Sequence, residues 1–488
     1  MQRPAGFGGC MDVVAARAGD AAADGLTQSG AARLAALREE RIDHRFKGLP
    51  PDADGLTVGE LAAQRRTLTG GGFSTPLLVL SAEALEHNLA ALERWTTEHG
   101  LAFAPHGKTS MAPQLFARQL ERGAWGITVA VPHQLRVARA FGVRRVFLAN
   151  ELVDPAALRW LAAELDADPE FTCVAYVDSV RGVALMDAAL SAAGARRPVD
   201  VVVELGAGEG ARTGVRTEGE CALVAEAAVA ARHLRLVGVA GYEGEVPGAD
   251  PERVRAWLHR LVALAAELDR AGAFREAGRI VVSAGGSAWF DAVAEVFAGL
   301  GAGTYQPAAR GVGAQGAGAY EPSAQGAGAH ATATPAAHTF SAPVLPLLRS
   351  GAYVTHDDQH YARVTPFTRV PGHLEPAFRL WAQVVSRPAP DQAFLNAGKR
   401  DAPYDLGLPT PLAVRGDDGM LRPAPAELRV NGISDQHLWL AVPPADPLQV
   451  GDLVSLGLSH PCTTFDKWPL IPVATADGTV TDYVRTFF

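Results

Sequence analysis

Lysine is rare in this chain, and one lysine stands where covalent chemistry is feasible. Only four of the 44 basic residues are lysines: Lys47, Lys108, Lys399 and Lys467. Lys108 follows the apolar run at 101–105 and has small neighbours in the segment HGKTS. A lysine partly withdrawn from water has a lowered pKa and can condense with a carbonyl group, which arginine cannot do. Lys108 is therefore a candidate for Schiff-base formation, although its position alone would also suit a surface loop.

A glycine-rich turn suggests what the carbonyl compound could be. The segment SAGGS at 283–287 follows an apolar run and precedes a helical pattern. Backbone N–H groups at the start of a helix bind anions, and (β/α)8 barrels often hold phosphate after their seventh and eighth strands. A phosphate site at Gly285, Gly286 and Ser287, facing Lys108, predicts pyridoxal 5′-phosphate (PLP) as the cofactor.

A second glycine-rich segment, GAGEGARTG at 206–214, contains Arg212. Its simpler interpretation is a flexible loop. Its functional interpretation places Arg212 near the cofactor ring. An arginine that contacts the pyridine nitrogen would weaken the ring as an electron acceptor, so the ring atom that Arg212 contacts matters.

Two segments near the C-terminal end of the chain carry possible ligands. His460 and Cys462 are two residues apart on an extended segment, so both side chains would point to one face, and both residue types bind zinc. Two ligands suit an open site that water, substrate or another side chain completes. The segment THDDQH at 355–360 contains His356 and Asp357, which we interpret as a solvated loop or a substrate-facing wall.

Short apolar runs alternate with helical patterns over most of the chain and would position these residues. The runs lie at 76–80, 101–105, 127–130, 145–149, 172–177, 199–205, 236–240 and 280–284. Continuous apolar runs are typical of parallel strands covered on both faces. So many β–α units favour a (β/α)8 barrel over an open sheet, and the strand C-termini of a barrel converge on one face.

The remaining segments predict three regions. Residues 1–70 would be a helical extension that packs on the β domain, residues 71–350 the cofactor-binding barrel, and residues 351–488 a mostly β domain with the metal site. A Gly/Ala/Pro-rich stretch at 305–341 is interpreted as a flexible insertion, with His330 and His338 solvated.

Composition excludes several functions. The 488 residues carry a formal net charge of −9, so no basic field predicts nucleic-acid binding. No run approaches the length of a membrane span, no signal-peptide pattern is present, and the four cysteines lack CxxC spacing. We expect a cytoplasmic protein.

These segments together resemble a known family. The chain resembles the D-serine dehydratase-like and D-threonine aldolase-like group of fold-type III PLP enzymes, which have an alanine-racemase-like N-terminal barrel. The resemblance covers roughly residues 70–304 and 342–488. It is carried by TPLLVLSAEALEHNL (75–89), APHGKTSMAP (104–113), AGGS (284–287), LRSGAYVTHD (348–357), AGKRDAPYDLGLP (397–409) and SHPCTTFDKW (459–468).

The resemblance implies a revised topology and a set of site residues. Residues 345–351 would be the eighth barrel strand, residues 75–80 would connect the β domain to the barrel, and Lys108 would end the first strand. Zn²⁺ would be bound by His460 and Cys462 beside the substrate, and the chain would form a homodimer. The residues that would contact PLP are Lys108, His106, Arg212, Tyr242, Gly285, Gly286 and Ser287.

The implied activity is a dehydratase, or ammonia-lyase, of β-hydroxy D-amino acids such as D-serine or D-threonine. It would give a 2-oxo acid and ammonia. A retro-aldol lyase of the D-threonine aldolase type is the first alternative. The others are a racemase with Tyr353 as its second base, a non-enzymatic PLP-binding protein, and a hydrolase that uses His356 and Asp357. Tyr353, His356 and Asp357 are the candidate substrate contacts.

Overall fold

Strands and helices alternate along the part of the chain that the computed structural model describes, residues 25–302, 304–305 and 338–488. The strands are β1 (Leu77–Ser81), β2 (Ala102–Phe103), β3 (Ile127–Val129), β4 (Arg145–Glu151), β5 (Thr172–Val177), β6 (Val199–Leu205), β7 (Leu234–Gly241), β8 (Ile280–Ala284), β9 (Thr304–Tyr305), β10 (His338–Thr339), β11 (Val344–Leu348), β12 (Phe378–Ala389), β13 (Gln392–Leu395), β14 (Thr410–Arg415), β15 (Leu421–Pro423), β16 (Arg429–Ile433), β17 (Leu438–Ala441), β18 (Leu453–Gly457), β19 (Leu470–Ala474) and β20 (Val480–Arg485). The helices are α1 (Gln28–Ala36), α2 (Val58–Ala63), α3 (Ala82–Glu98), α4 (Pro113–Glu121), α5 (Pro132–Ala140), α6 (Pro155–Ala167), α7 (Val180–Ala192), α8 (Glu218–Ala230), α9 (Pro251–Arg270), α10 (Phe290–Phe297), α11 (His360–Val364) and α12 (Cys462–Phe465).

Eight parallel strands form the barrel. Their order is β2-β11-β8-β7-β6-β5-β4-β3, and a bridge between His106 and Thr128 joins the two ends of this order. The central strands β6 and β8 are buried along their whole length, as continuous apolar runs predict. The predicted (β/α)8 barrel is confirmed, with Val344–Leu348 as its eighth strand.

The run at 76–80 is not a barrel strand. It forms β1, which lies between β12 and β19 of the second sheet, antiparallel to the first and parallel to the second. The Ser81 hydroxyl then accepts a hydrogen bond from the Ala84 N–H at 3.2 Å and begins α3, which leads into the barrel. This strand therefore ties the two sheets together.

The second sheet contains mostly C-terminal strands, as the sequence predicts. Its main order is β15-β14-β18-β12-β1-β19-β20, and β13, β17 and β16 extend it from β12. Residues 42–62 pack on one face of this sheet, where Ile42, Phe46 and Leu61 share a core with Leu77 and Tyr483. Between residues 25 and 70 the structure has α1, α2, short 3-10 turns and two isolated β-bridges, Arg41 with Thr57 and Thr67 with Thr479.

The base of the insertion is ordered where the structure describes it. Strands β9 and β10 pair Thr304 with Thr339 and Tyr305 with His338. The prediction of a solvated His338 is wrong, because its Nε2 lies 2.8 Å from the Asp269 carboxylate and its side chain is mostly buried. Residues 306–337, including His330, and residues 1–24 lie outside the described part of the chain.

Among the described residues, none of the helices combines the length and the apolar character that crossing a bilayer requires.

Candidate active site

Lys108 lies at the C-terminal face of the barrel. It lies in the 3-10 turn Gly107–Thr109 that follows β2. Glycine at 107 lets this turn pack closely against Ile127 and Phe116, since a Cβ there would lie 2.8 Å from each of them. Burial lowers the pKa of the Lys108 amine, and Arg212 and Arg349 lower it further, while the Cys462 thiolate opposes them. The amine is thus half-buried and easier to deprotonate than a surface lysine.

The predicted metal ligands lie against this turn although they come from the second sheet. The Thr109 Oγ1 is 3.4 Å from the Cys462 Sγ, and the charges of Lys108 and Cys462 influence one another's pKa. The two residues are more than 350 positions apart in sequence, so the sequence does not reveal this contact. It forms because α12 packs on the end of the barrel.

His460 is oriented as metal-ligating histidines usually are. Its Nδ1 contacts the Asp405 carboxylate, and its backbone N–H donates to Asp357 Oδ2 at 3.0 Å. Burial disfavours the charged imidazole, but hydrogen bonding and charge from Cys462 and Asp405 outweigh burial and raise the pKa of His460 to about 9. Its backbone φ is +40°, a conformation that non-glycine residues adopt mainly at functional or strained positions.

This donor set fits an open zinc site. A carboxylate behind a histidine fixes the ring that ligates the metal, and a nitrogen and a sulfur ligand together favour zinc. In the described ranges, no group of three His, Cys, Asp or Glu ligand atoms at metal-binding spacing includes His460 or Cys462. Any metal there would need water or substrate to complete its coordination.

The glycine turn binds a carboxylate of the protein itself. Glu243, which is fully buried, accepts hydrogen bonds from the N–H groups of Gly285 at 2.8 Å and Gly286 at 2.5 Å. These two N–H groups are thus engaged by a carboxylate in this structure, and phosphate binding at Gly285 and Gly286 stays a prediction. Ser287 differs: its hydroxyl accepts from the Ala352 N–H at 3.2 Å and keeps its own proton to donate.

Tyr242 and Arg212 flank the turn. A Cβ on Gly286 would lie 2.7 Å from the Tyr242 ring, so only glycine lets the ring lie against the turn. Burial raises the pKa of the Tyr242 phenol to about 12. The Arg212 guanidinium lies 5.9 Å from the Tyr242 ring centre and pairs with Glu245, with its side chain 71% exposed.

Arg349 is a site residue that sequence reasoning missed. It follows β11, its side chain is buried in the barrel, and its Nη2 donates to the Gly241 carbonyl at 2.5 Å. Its Nε and the His106 Nδ1 are buried polar atoms for which the described structure provides no hydrogen-bond partner. The signal available in the sequence was position, since LRSG directly follows the eighth strand.

These orphaned atoms fit a polar aromatic ligand beside Lys108. A buried polar atom without a partner is costly, so a ligand that pairs with His106 and Arg349 would be favoured. Glycine at 286 leaves room for the Tyr242 ring against the glycine turn, since a Cβ there would lie 2.7 Å from that ring. PLP, which has a ring, an aldehyde and a phosphate, matches this set of groups.

Two of the candidate substrate contacts are structural in this geometry. The Tyr353 hydroxyl accepts a hydrogen bond from Gln119 Nε2 at 3.1 Å, and this side chain is buried in the core. Asp357 is buried and caps the following turn by accepting from the Tyr361 N–H at 2.8 Å, besides holding His460. The prediction of a solvated loop for this segment is wrong.

His356 remains beside the site. It lines a small cavity with Ser287, Tyr353 and Tyr361, and burial lowers its pKa to about 4, so the ring is neutral at pH 7. A neutral imidazole can donate or accept one hydrogen bond on each nitrogen.

Comparisons with known proteins agree with this arrangement. Residues 80–300 match the family model of the alanine racemase N-terminal domain, and residues 377–474 match the putative serine dehydratase domain. The chain is 30% identical over 416 residues to a D-threonine aldolase of an Arthrobacter species. This match covers 84% of this chain and 90% of that protein. The chain belongs to the D-threonine aldolase-like family of fold-type III PLP enzymes.

Solved structures show the same fold for the family. D-threonine aldolase from Filomicrobium marinum superposes with a TM-score of 0.62 at 24% identity, covering 85% of this chain and 95% of that one. D-threo-3-hydroxyaspartate dehydratase from Delftia sp. HT23 gives 0.60 at 21% identity, covering 86% and 99%. A cysteine-to-alanine variant of a D-threo-3-hydroxyaspartate dehydratase is described as being in a metal-free form (TM-score 0.60, 22% identity, covering 85% and 97%).

Proposed function

We propose that this protein is a PLP- and zinc-dependent lyase of β-hydroxy D-amino acids that acts as a dehydratase. The observation that carries the proposal is the contact between the Lys108 turn and the His460–Cys462 segment, with 3.4 Å between Thr109 Oγ1 and Cys462 Sγ. It brings a half-buried amine and a pair of zinc-type ligands to one site. The named relatives act on D-threonine or 3-hydroxy-D-aspartate, which are β-hydroxy D-amino acids.

The cofactor would be held by the orphaned groups of the barrel. Lys108, His106, Arg349, Tyr242 and Ser287 are the residues that would bind PLP, and the glycine turn would leave room for it. PLP, when bound, supplies an electron sink that stabilises negative charge at the substrate α-carbon. Lys108 Nζ, whose pKa burial lowers, would take the proton from that carbon.

The second sheet would act on the β-hydroxyl. His460 and Cys462 would bind zinc, a Lewis acid that makes hydroxide a better leaving group. Asp405 would hold the His460 ring, and Asp357 would hold the His460 backbone, so neither needs to contact the substrate. Loss of hydroxide after loss of the α-proton gives an enamine that hydrolyses to a 2-oxo acid and ammonia.

Product analysis tests this proposal. The purified protein, loaded with PLP and zinc, would be incubated with D-threonine and the products separated by chromatography. We expect 2-oxobutyrate and ammonia, with turnover lost after chelation and in Cys462→Ser. Cys221→Ser is the matched control, because Cys221 is a buried residue of α8 and belongs to neither ligand pair, and the variant should keep activity.

A retro-aldol lyase is the second candidate, and the identity to a D-threonine aldolase favours it. In that reaction the bond between Cα and Cβ breaks after a base removes the β-hydroxyl proton. The same incubation would then yield glycine and acetaldehyde. That outcome would refute the dehydratase proposal and leave the assignment of Lys108 and PLP intact, whereas no product and no visible cofactor absorbance would refute both.

A further inference from the structure

Two histidines and a glutamate meet between α3 and the segment that leads into β12. His87 lies in α3, whereas His373 and Glu375 come shortly before β12. One ligand atom of each residue lies within 4.8 Å of the ligand atoms of the other two. None of the three is among the residues that surround Lys108 in the candidate active site, so that site does not account for the cluster.

The spacing of the ligand atoms fits a metal ion and is too wide for direct hydrogen bonds. Glu375 Oε1 lies 3.9 Å from His87 Nδ1 and 3.8 Å from His373 Nε2. Hydrogen bonds from N–H to oxygen are about 2.7–3.2 Å long, so neither pair forms one. Zinc binds nitrogen and oxygen at about 2.0–2.2 Å, so two ligand atoms on one zinc ion can lie up to about 4.3 Å apart. Both distances fall between these limits.

The tautomer of His87 leaves a lone pair beside the carboxylate. The His87 Nε2 lies 3.1 Å from the backbone carbonyl oxygen of His373, which can only accept, so Nε2 carries the hydrogen. In the neutral ring, Nδ1 then presents a lone pair 3.9 Å from Glu375 Oε1. A positive ion between these two electron-rich atoms would stabilise them. Donation of the other ring N–H to a backbone carbonyl is also the usual arrangement of a metal-ligating histidine.

Asn88 fixes the two elements of the cluster against each other. Its side chain is fully buried, its Oδ1 accepts from the Glu375 N–H at 2.7 Å, and its Nδ2 donates to the Glu375 carbonyl at 2.7 Å. Because Asn88 follows His87 in α3, the backbone of Glu375 is held beside that histidine. The ring centroids of His87 and His373 are 4.2 Å apart, which brings the second imidazole to the same carboxylate.

No basic side chain takes the place that a metal would have. Within the described ranges, the ion pairs of Glu375 at 4.0 Å or less are those with His87 and His373, and none involves lysine or arginine. The side chains are partly exposed, by 25% for His87, 46% for Glu375 and 69% for His373. Water can therefore reach the cluster and complete the coordination of an ion.

We propose that His87, His373 and Glu375 form a metal site, separate from His460 and Cys462, that binds one divalent cation of the zinc class. Two imidazole nitrogens and one carboxylate oxygen suit Zn²⁺ better than Mg²⁺ or Ca²⁺, which prefer oxygen ligands alone. The ion would tie α3 to the segment before β12. It requires no particular substrate or cofactor, so the proposal stands apart from the proposed reaction.

Zinc titration of the full-length, PLP-loaded protein, followed by isothermal titration calorimetry, tests the proposal. Bound metal would first be removed with a chelator and dialysis. Cys462→Ser would serve as the background, so that the other proposed site loses its sulfur ligand. We expect this background to bind one zinc per chain at micromolar free zinc. Absence of binding under these conditions would overturn the proposal.

Variants of the ligands locate the ion. In the same background, His87→Gln and His373→Gln should each weaken zinc binding more than about tenfold, a loss that even groups behind the ligands can cause. His133→Gln is the matched control: His133 is exposed and its Nε2 also lies near a backbone carbonyl, that of Phe487 at 3.2 Å, but it belongs to no three-ligand group among the described residues. It should bind zinc as the background does. Binding that neither ligand variant weakens would overturn the proposal.

Thermal unfolding gives a second measurement that tolerates a poorly folding variant. His373→Gln changes a mostly exposed side chain, so it carries the test should His87→Gln fail to fold. Because a ligand that binds the folded state stabilises it, zinc should raise the Tm of the Cys462→Ser background. The rise should be smaller when His373→Gln is added. An equal rise in both proteins would place the ion elsewhere and overturn the proposal.

Discussion

Lys108 owes its candidate role to the removal of water around its amine. The other three lysines are involved elsewhere: Lys47 pairs with Asp401, Lys467 contacts Asp466, and Lys399 is exposed. Substituting arginine would keep a cation at position 108 but remove the reactive amine, because a guanidinium does not lose its proton in proteins.

We therefore expect Lys108→Arg to abolish the visible absorbance of bound cofactor and to lower kcat by about 10²–10⁴-fold or more, the contribution of a positioned acid–base group. Absorption spectra after gel filtration and initial rates with D-threonine measure the two effects. Lys399→Arg is the matched control and should retain both. Normal cofactor absorbance and activity in Lys108→Arg would contradict the role of this lysine.

The raised pKa of the buried Glu204 carboxyl predicts a pH dependence of stability. Its folded pKa, about 8, lies above the ordinary value of 4.5. Between these values the unfolded state loses a proton that the folded state keeps, so the free energy of unfolding falls as pH rises. The slope from this one group is at most about 1.4 kcal/mol per pH unit, and it vanishes below the lower value and above the higher one.

Urea unfolding at several pH values between these limits measures the effect. Because other groups titrate too, the informative quantity is the difference between the parent and Glu204→Gln. We expect that difference to shrink steadily as pH rises. A difference independent of pH would mean that Glu204 is ionised in the folded protein throughout the range.

At the scale of elements, the βα turns carry most of the candidate site. The turn after β8 is shaped by the 3-10 turn after β7, because Glu243 of one holds two N–H groups of the other. A carboxylate can accept from both N–H groups, whereas an amide presents one oxygen and one NH₂ group. The geometry of the glycine turn thus depends on a residue from a neighbouring strand.

We expect Glu243→Gln to lower the free energy of unfolding by about 1–3 kcal/mol, the cost of a buried donor left without a partner. It should also weaken PLP binding, because Ser287 lies in the same turn. Chemical denaturation and a PLP titration measure the two effects. Glu252→Gln, on the exposed first turn of α9, should change neither; an unaltered Glu243→Gln would show that the carboxylate does not hold the turn.

At the scale of the whole molecule, the site exists only because two sheets are packed together. Lys108 and Thr109 come from the barrel, and His460 and Cys462 come from the second sheet. The segment at 25–70 contacts both units, with its later residues on the second sheet and α1 against α5 of the barrel. Formation of a homodimer stays a prediction.

The contact of α1 with the barrel can be tested at Gly30. A Cβ there would lie 2.4 Å from the Gly142 Cα and the Phe141 carbonyl, so Gly30→Ala must push α1 away, at a cost of about 1–3 kcal/mol from overpacking. We expect faster proteolysis between residues 25 and 70 and a lower Tm. Gly219→Ala, in α8 with open space around it, is the matched control and should be neutral or stabilising by up to about 1 kcal/mol.

Much of the fold could be predicted from sequence, because local patterns determine it. Continuous apolar runs separated by helical patterns identified the barrel, and Lys108, His460 and Cys462 stood out by residue type and spacing. Periodicity assigns the run at 76–80 to the barrel, because it indicates burial but does not indicate which sheet buries a strand. The family resemblance corrected it.

What only the tertiary structure decided are the contacts between residues distant in sequence. Burial of Tyr353 and Asp357, the hydrogen bonds from Gly285 and Gly286 to Glu243, and the place of Arg349 all depend on how strands close into a ring. Glu151, Asp178 and Glu204, at the ends of β4, β5 and β6, are brought together in the same way. Residue types determine which chemistry is available, and the packing of the two sheets determines which of those groups lose water and meet.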